Sequence, residues 1–276
     1  MTLTENLTVN VETQQQIVSA ENLVAAYPNK VVWRDANIGL NRGEFVAIIG
    51  PNGAGKTTLF RLLLGLLDPI SGTLKVFNQP PTRGNPRIGY VPQRHPIDSE
   101  TNIEALELVH LALCGHRWGF HLSARSGREA ASEALKAVGA TDQAHQPLGA
   151  LSGGELQRIF LAEALVSDPE ILLLDEPLSN LDIRRARELV QLINGVVRSR
   201  GVSALLVAHD INPLLPYLDK VVYVANGKVA TGEPKDVLTS ERLTALYDVP
   251  VEVIRDSRGN VAIIGSENHH HGDEQL

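Results

Sequence analysis

Cysteine is nearly absent. Cys114 stands alone in 276 residues, which excludes an intrachain disulfide framework and any zinc site built from several cysteines, and suits a reducing compartment. It reads as a small buried hydrophobe. Aromatic residues make up only 4% of the chain, leaving few platforms on which single-stranded bases could stack. Positive charge is also in deficit: 25 Lys and Arg face 32 Asp and Glu, a formal charge of −7, so the summed field does not favour nucleic acid. Apolar runs such as 62–67 fall far short of the ~18–20 residues that span a bilayer. The first twenty residues lack the positive start and apolar block of a secretory signal. Residence inside the cell is therefore expected, with membrane contact through a partner. Without a secretory route, Asn6-Leu7-Thr8 is not expected to carry a glycan.

What is present is an ordinary globular mixture, 43% hydrophobic and 21% charged, in a length that suits one or two domains. Residues 1–16 are polar and read as a flexible tail. Strands are expected around 17–27 and 31–40. The apolar run Phe45 to Ile49 suits a buried parallel strand. Thr57 to Leu67 then has helical leucine spacing, closed by Asp68-Pro69. Between about 102 and 165 the chain turns to helical stretches rich in Ala, Leu and Glu, read as a helical insertion, with a helical subdomain placed at about 95–165. Strand patterns return at 171–174, 204–208 and 221–224, separated by helix-compatible sequence, as alternating β and α units require. Residues 251–254 and 261–264 flank Ser257-Arg258-Gly259-Asn260 as a hairpin. The end, 266–276, is polar and expected to be disordered.

Gly50-Pro51-Asn52-Gly53-Ala54-Gly55-Lys56-Thr57 fits G-x-x-x-x-G-K-T and lies between an expected strand and an expected helix. A polyphosphate can be met there by successive backbone N–H groups and the positive end of the following helix. Gly53 and Gly55 would let the backbone approach closely. Lys56 supplies a point charge for the β and γ phosphates, and the Thr57 hydroxyl can ligate Mg²⁺.

Ile171 to Leu174 delivers Asp175 and Glu176 to the carboxyl end of a strand, where open α/β sheets bind ligands. Strand alternation would send the two acids to opposite faces. Asp175 is assigned to Mg²⁺ and Glu176 to the water attacking the γ-phosphate.

These residues, with Leu151-Ser152-Gly153-Gly154-Glu155-Leu156-Gln157-Arg158, resemble the ATP-binding-cassette (ABC) ATPases, whose signature the last segment matches. Locally, Ser152 and Glu155 also form a helix capping box. The resemblance covers about 17–245 and implies an α/β P-loop NTPase core with a mostly parallel sheet, an N-terminal antiparallel β part and a helical signature subdomain. It also implies ATP and Mg²⁺ as cofactors. Tyr27 would stack on adenine. Gly50, Pro51, Asn52, Gly53, Ala54, Gly55, Lys56, Thr57 and Thr58 would hold phosphate. Gln93, after Tyr90-Val91-Pro92, matches the Q-loop residue, with catalytic and Mg²⁺-binding roles beside Thr57 and Asp175. Asp182 in Ser179-Asn180-Leu181-Asp182 matches the D-loop, and His209 the switch histidine, which together with Glu176 and Lys56 completes the catalytic set. Ser152, Gly153, Gly154 and Glu155 would meet the ATP held by a second copy, giving a head-to-tail dimer.

One set of motifs without a membrane span implies a separate permease, received through 94–117, and a place on the cytoplasmic face of the membrane. Ile88 to Arg94, Leu246 to Pro250 and His269-His270-His271 place the resemblance nearest bacterial zinc and manganese importers, which work with an extracytoplasmic metal-binding protein. Siderophore or vitamin importers, an exporter, and a soluble non-transport ATPase are the alternatives. For the histidine run two readings stand: a weak metal site with Asp273 and Glu274, or a solvated stretch. The segment 246–265 is read as a hairpin extension.

Overall fold

Continuous apolar runs build a central sheet buried on both faces. The computed structural model describes residues 15–28, 30–93, 100–115, 124–179 and 181–265. The chain opens with two long antiparallel strands, β1 (Gln16–Tyr27) and β2 (Lys30–Asn41), followed by β3 (Phe45–Ile49) and α1 (Lys56–Leu63). Next come β4 (Ser71–Val76), β5 (Ile88–Val91), and three helices, α2 (Ala105–Gly115), α3 (Ala124–Ala137) and α4 (Gly153–Leu165). The α/β alternation resumes with β6 (Ile171–Asp175), α5 (Ile183–Arg200), β7 (Ser203–Val207), β8 (Lys220–Ala225) and β9 (Lys228–Gly232). Two short helices, α6 (Pro234–Val237) and α7 (Ser240–Tyr247), lead into the hairpin of β10 (Val251–Arg255) and β11 (Val261–Gly265).

The strands of the main sheet run in the order β5-β6-β7-β3-β8-β9. Its first five strands are parallel and β9 is antiparallel to β8. A smaller antiparallel sheet, β2-β1-β4, forms the N-terminal layer. Side chains alternate between two cores, as strand geometry requires. Phe45, Ala47, Leu172, Leu174 and Leu206 pack with α4, α5 and the hairpin's Val251 and Val261. Val46, Ile48, Leu173, Leu205 and Val222 pack with Leu59, Phe60 and Leu63 of α1 and with Trp33. The α/β class with a mostly parallel sheet and an antiparallel N-terminal part therefore stands as expected.

The first helix is shorter than its leucine spacing suggested. It stops at Leu63, well before Asp68-Pro69, because Gly65 takes a left-handed conformation (φ 65°). The N–H of Leu66 then donates to the Arg61 carbonyl and that of Gly65 to the Leu62 carbonyl, the paired bonds of a glycine-terminated helix end. Strands β4, β5 and β9 were not anticipated, being short and carrying two buried residues each in β4 and β5 and none in β9.

Several expectations fall outside the described residues: the tail 1–14 with Asn6-Leu7-Thr8, positions 94–99 and 116–117 of the docking segment, Asn180, and 266–276 with His269–His271, Asp273 and Glu274. The side chain of Cys114 does as well. Among the described residues, no helix is long and apolar enough to cross a membrane.

Candidate nucleotide site

The loop 50–55 joins the buried strand β3 to α1, so its amides and the helix N-terminus face one cleft. Tyr27, Asn52, Gly53, Gly55, Lys56, Thr57, Thr58, Arg61 and Glu176 line that cleft, whose volume is about 320 Å³. Gly55 is required by its own surroundings. It adopts φ 101°, and a Cβ there would lie 2.1 Å from Cγ1 of Val32. Gly53, at φ 75°, faces open space, so close approach on the ligand side belongs to Gly53 and tight packing on β2 to Gly55. Gly50, Pro51 and Ala54 shape the turn, with the Ala54 N–H donating to the Pro51 carbonyl at 3.3 Å. The ammonium of Lys56 donates to the carbonyls of Gly50 at 2.8 Å and Pro51 at 3.0 Å. Burial pulls its pKa down, partly offset by the charges of Glu176 and Asp175. Thr58 is buried and its N–H donates to the Gly55 carbonyl.

Asp175 closes β6 and is 3% exposed. The Thr57 hydroxyl donates to its Oδ1 at 3.3 Å. Burial pushes the Asp175 carboxyl up, the Thr57 bond working against this. A buried carboxylate beside a hydroxyl suits a hard cation, because a cation offsets the desolvation of the charge.

Strand alternation does not place Glu176. The strand ends at Asp175, and Glu176 turns away at φ 51°, so backbone conformation rather than the pleat separates the two acids. The turn is held by the Glu176 N–H donating to the Val207 carbonyl and by the Ser179 hydroxyl donating to the Glu176 carbonyl. Gln93 Nε2 donates to Glu176 Oε2 at 2.6 Å, and His209 Nε2 lies 3.0 Å from the same oxygen. Two residues distant in sequence, at the ends of β5 and β7, thus converge on one oxygen of Glu176 at the end of β6. Gln93 contacts Glu176 here, and Asp175 is partnered by Thr57.

Ser152, Gly154 and Glu155 line a different cleft, of about 230 Å³, together with Arg158, Leu181 and Arg185. It shares no lining residue with the phosphate cleft. Ser152 caps α4, and Glu155 accepts from its N–H at 2.8 Å and its hydroxyl at 2.7 Å. These bonds hold the Glu155 carboxyl below its usual range. Asp182 caps α5 by accepting from the Arg185 N–H at 2.9 Å. Among the described residues, a Cβ on Gly153 would meet nothing within 4 Å, and one on Gly154 only Cδ of Arg185 at 3.7 Å.

Two contributors were missed in the sequence. Arg61, one helical turn beyond Thr57, donates to the Tyr27 hydroxyl at 2.9 Å. Tyr90 packs edge-on against Phe60, its pKa raised by burial and then by the charge of Asp175. Arg61 lay within the expected helix after the loop, and Tyr90 carried no signal beyond its place in the motif before Gln93.

The ABC transporter family model matches residues 33–179. The chain is 33% identical over 239 residues to the manganese transport system ATP-binding protein MntB of Bacillus subtilis, covering 87% of this chain and 95% of that one. It is 35% identical over 258 residues to the zinc import ATP-binding protein ZnuC of Pseudomonas aeruginosa, covering 93% and 85%. Among solved structures, CbiO1 of Clostridium perfringens, part of the ABC transporter complex CbiONQ, superposes with a TM-score of 0.71 at 28% identity over 84% of this chain and 94% of that one. The dimeric cassette MJ0796 does so with a TM-score of 0.67 at 27% identity, over 78% and 98%. With strand, loop, helix and paired acids arranged as an NTP-binding cleft and these likenesses spanning most of its length, the chain belongs to the ABC transporter family as an ATP-hydrolysing cassette.

Proposed function

We propose that this cassette powers an importer of zinc or manganese through a separate membrane permease, hydrolysing MgATP at a site completed by a second copy of the chain. The observation that carries the hydrolytic part is the convergence of Gln93 and His209 on Glu176 Oε2 beside the phosphate cleft. The transported ion rests on the relatives, described as manganese and zinc transport proteins.

Lys56 and the loop amides hold the β and γ phosphates, and Tyr27 takes the adenine ring. Thr57 and Asp175 would hold Mg²⁺, with Gln93 nearby, and the ion supplies charge neutralisation on the phosphates. Glu176 orients and polarises the attacking water, and His209 steadies both that carboxylate and the γ-phosphate. Ser152, Gly153, Gly154 and Glu155 act on the nucleotide of the other copy. Among the described residues nothing demands glycine at 153 or 154, so the close approach that glycine permits is assigned to a ligand or partner. Asp182, at the start of α5 beside this cleft, belongs to the same interface.

The cassette proper is 17–245, with 95–165 as its helical subdomain and 246–265 as a hairpin extension before the tail. Docking of the permease through 94–117 puts the chain on the cytoplasmic face of the membrane. An extracytoplasmic metal-binding protein delivers the ion, and nucleic acid has no part. Vesicles carrying the permease and this chain test the reading: ATP-driven uptake of zinc or manganese is expected and is lost with Glu176→Gln. Uptake of a ferric chelate or a corrinoid, with no free divalent ion carried, would overturn the assignment of the substrate.

A further inference from the structure

The hairpin of β10 and β11 lies outside the residues matched by the family model, yet it is joined directly to the segment that carries His209. Asn212 makes the joint. Its Oδ1 accepts from the N–H of Val261 at 2.7 Å, and its Nδ2 donates to the Val261 carbonyl at 3.1 Å. The same Nδ2 and the Asn212 backbone N–H both donate to Oδ1 of Asp210, each at 2.9 Å. One side chain therefore grips a strand residue by both backbone groups while it closes the turn next to His209.

The grip is useful only if the hairpin is itself fixed. Val251 and Val261 are each 6% exposed and belong to the main core. The Val253 N–H donates to the Ser240 hydroxyl at 2.9 Å, and Arg255 Nη2 to the Leu238 carbonyl at 3.2 Å. At the tip, Asp256 accepts from the backbone N–H groups of Arg258 and Asn260. The other side of the joint is irregular chain: 208–211 belong to no helix or strand; Ala208 and Ile211 are anchored in the core, with the Ala208 N–H on the Ile48 carbonyl, and Asn212 is the tether that ties the stretch between them to the hairpin. Glu176, His209, Asp210, Asn212 and Asn260 line one cleft of about 440 Å³. The hairpin thus forms a wall of the space into which the catalytic carboxylate and the histidine project.

We propose that Asn212 is a positioning residue for His209, with the C-terminal hairpin as the fixed body that sets the switch segment. Asn212 contacts neither Glu176 nor the phosphate loop in the hydrogen bonds described above; it acts through the backbone of 209–212. The proposal rests on the reading of His209 and Glu176 as hydrolytic residues.

Steady-state ATP hydrolysis by the full chain tests it with three variants. Asn212→Ala should lower kcat about tenfold, the scale of losing hydrogen bonds to a charged group, with KM for ATP within about twofold of wild type. Asn212→Asp should fall similarly, because it loses both donors and faces Asp210 with a second carboxylate. Exchanging the pair, as Asp210→Asn with Asn212→Asp, restores a donor–acceptor pair across the turn and keeps an acceptor for the Val261 N–H. It should recover most of the lost kcat. This near-isosteric exchange keeps the test decisive should Asn212→Ala fold poorly. An unchanged kcat in Asn212→Ala, or an exchanged pair no better than Asn212→Asp, overturns the proposal. His209→Ala in the same assay separates the layers. If it abolishes turnover while Asn212→Ala leaves kcat unchanged, only the positioning role fails; if it leaves turnover intact, the reading of His209 fails first.

Discussion

The guanidinium of Arg61 donates to the Tyr27 hydroxyl at 2.9 Å and lies 5.8 Å from the centre of its ring. Helix α1, whose N-terminus faces the phosphate loop, therefore also orients the aromatic residue at the other end of the cleft. Removing this bond should weaken nucleotide binding more than chemistry. Tyr27→Phe and Arg61→Met are each expected to raise the Kd for ATP about fivefold, the scale of one hydrogen bond, with kcat little changed. The double variant should cost little more than either single one, since both remove the same contact. Titration with a fluorescent ATP analogue measures this, and additive losses would separate the two residues.

Glu176 is the atom-level meeting point of the site, and its replacement by glutamine keeps size while removing charge. Turnover should fall by about 10²-fold or more, the scale of general-base catalysis. Nucleotide affinity should hold, because Lys56, Thr57 and the loop amides are untouched. Single-turnover hydrolysis beside equilibrium binding tests both halves. A glutamine variant that turns over at the wild-type rate would remove Glu176 from the role.

The signature glycines give a sharper test of the two-copy site. A Cβ on Gly154 would meet only Cδ of Arg185, at ordinary contact distance, and Gly154 has no positive φ. Gly154→Ala should therefore keep the melting temperature and the ATP affinity of the isolated chain while hydrolysis falls at least tenfold, as an added methyl intrudes on a close backbone approach. Mixing Lys56→Ala with Ser152→Arg subunits complements this. One composite site in the mixed dimer stays intact, so activity should exceed that of either variant alone.

Much of this architecture was legible because it follows from local chemistry. The loop 50–57 could be read between β3 and α1 from spacing alone, since an apolar strand and a leucine-bearing helix flank it. Where reading failed, a single backbone torsion overrode a pattern. Gly65 ended α1 inside a run of leucines, and Glu176 left its strand through a positive φ that alternation cannot reveal. Strands β4 and β9 escaped because their burial comes from tertiary neighbours: only Leu74 and Val76 of β4 are buried, and β9 has no fully buried residue. The meeting of Gln93, Glu176 and His209 likewise depends on the sheet order β5-β6-β7, which brings three chain segments side by side. Glu176 and His209 could be read at strand ends from their apolar runs, Gln93 only through its motif, and pairing is a property of the whole sheet.

Glu163, on α4, offers a test in which stability responds to pH. Burial raises its carboxyl pKa, with no charged partner among the causes. A carboxyl whose folded pKa lies above its unfolded one costs the folded state stability once the unfolded chain has ionised. That cost is absent below the unfolded value near 4.3, grows as pH rises through the interval between the two, and is complete above the folded pKa. Glu163→Gln removes the charge while keeping the shape. Its melting temperature should exceed that of wild type by a few degrees at pH 7.5, on the scale expected for a chain of this size, and the gap should close toward pH 4. The sign is the informative part, because a glutamate stabilised by a hidden cation would behave oppositely and its glutamine variant would melt lower at pH 7.5. Thermal unfolding of both proteins from pH 4 to pH 8, each without nucleotide so that linkage to ATP binding does not enter, decides between the two.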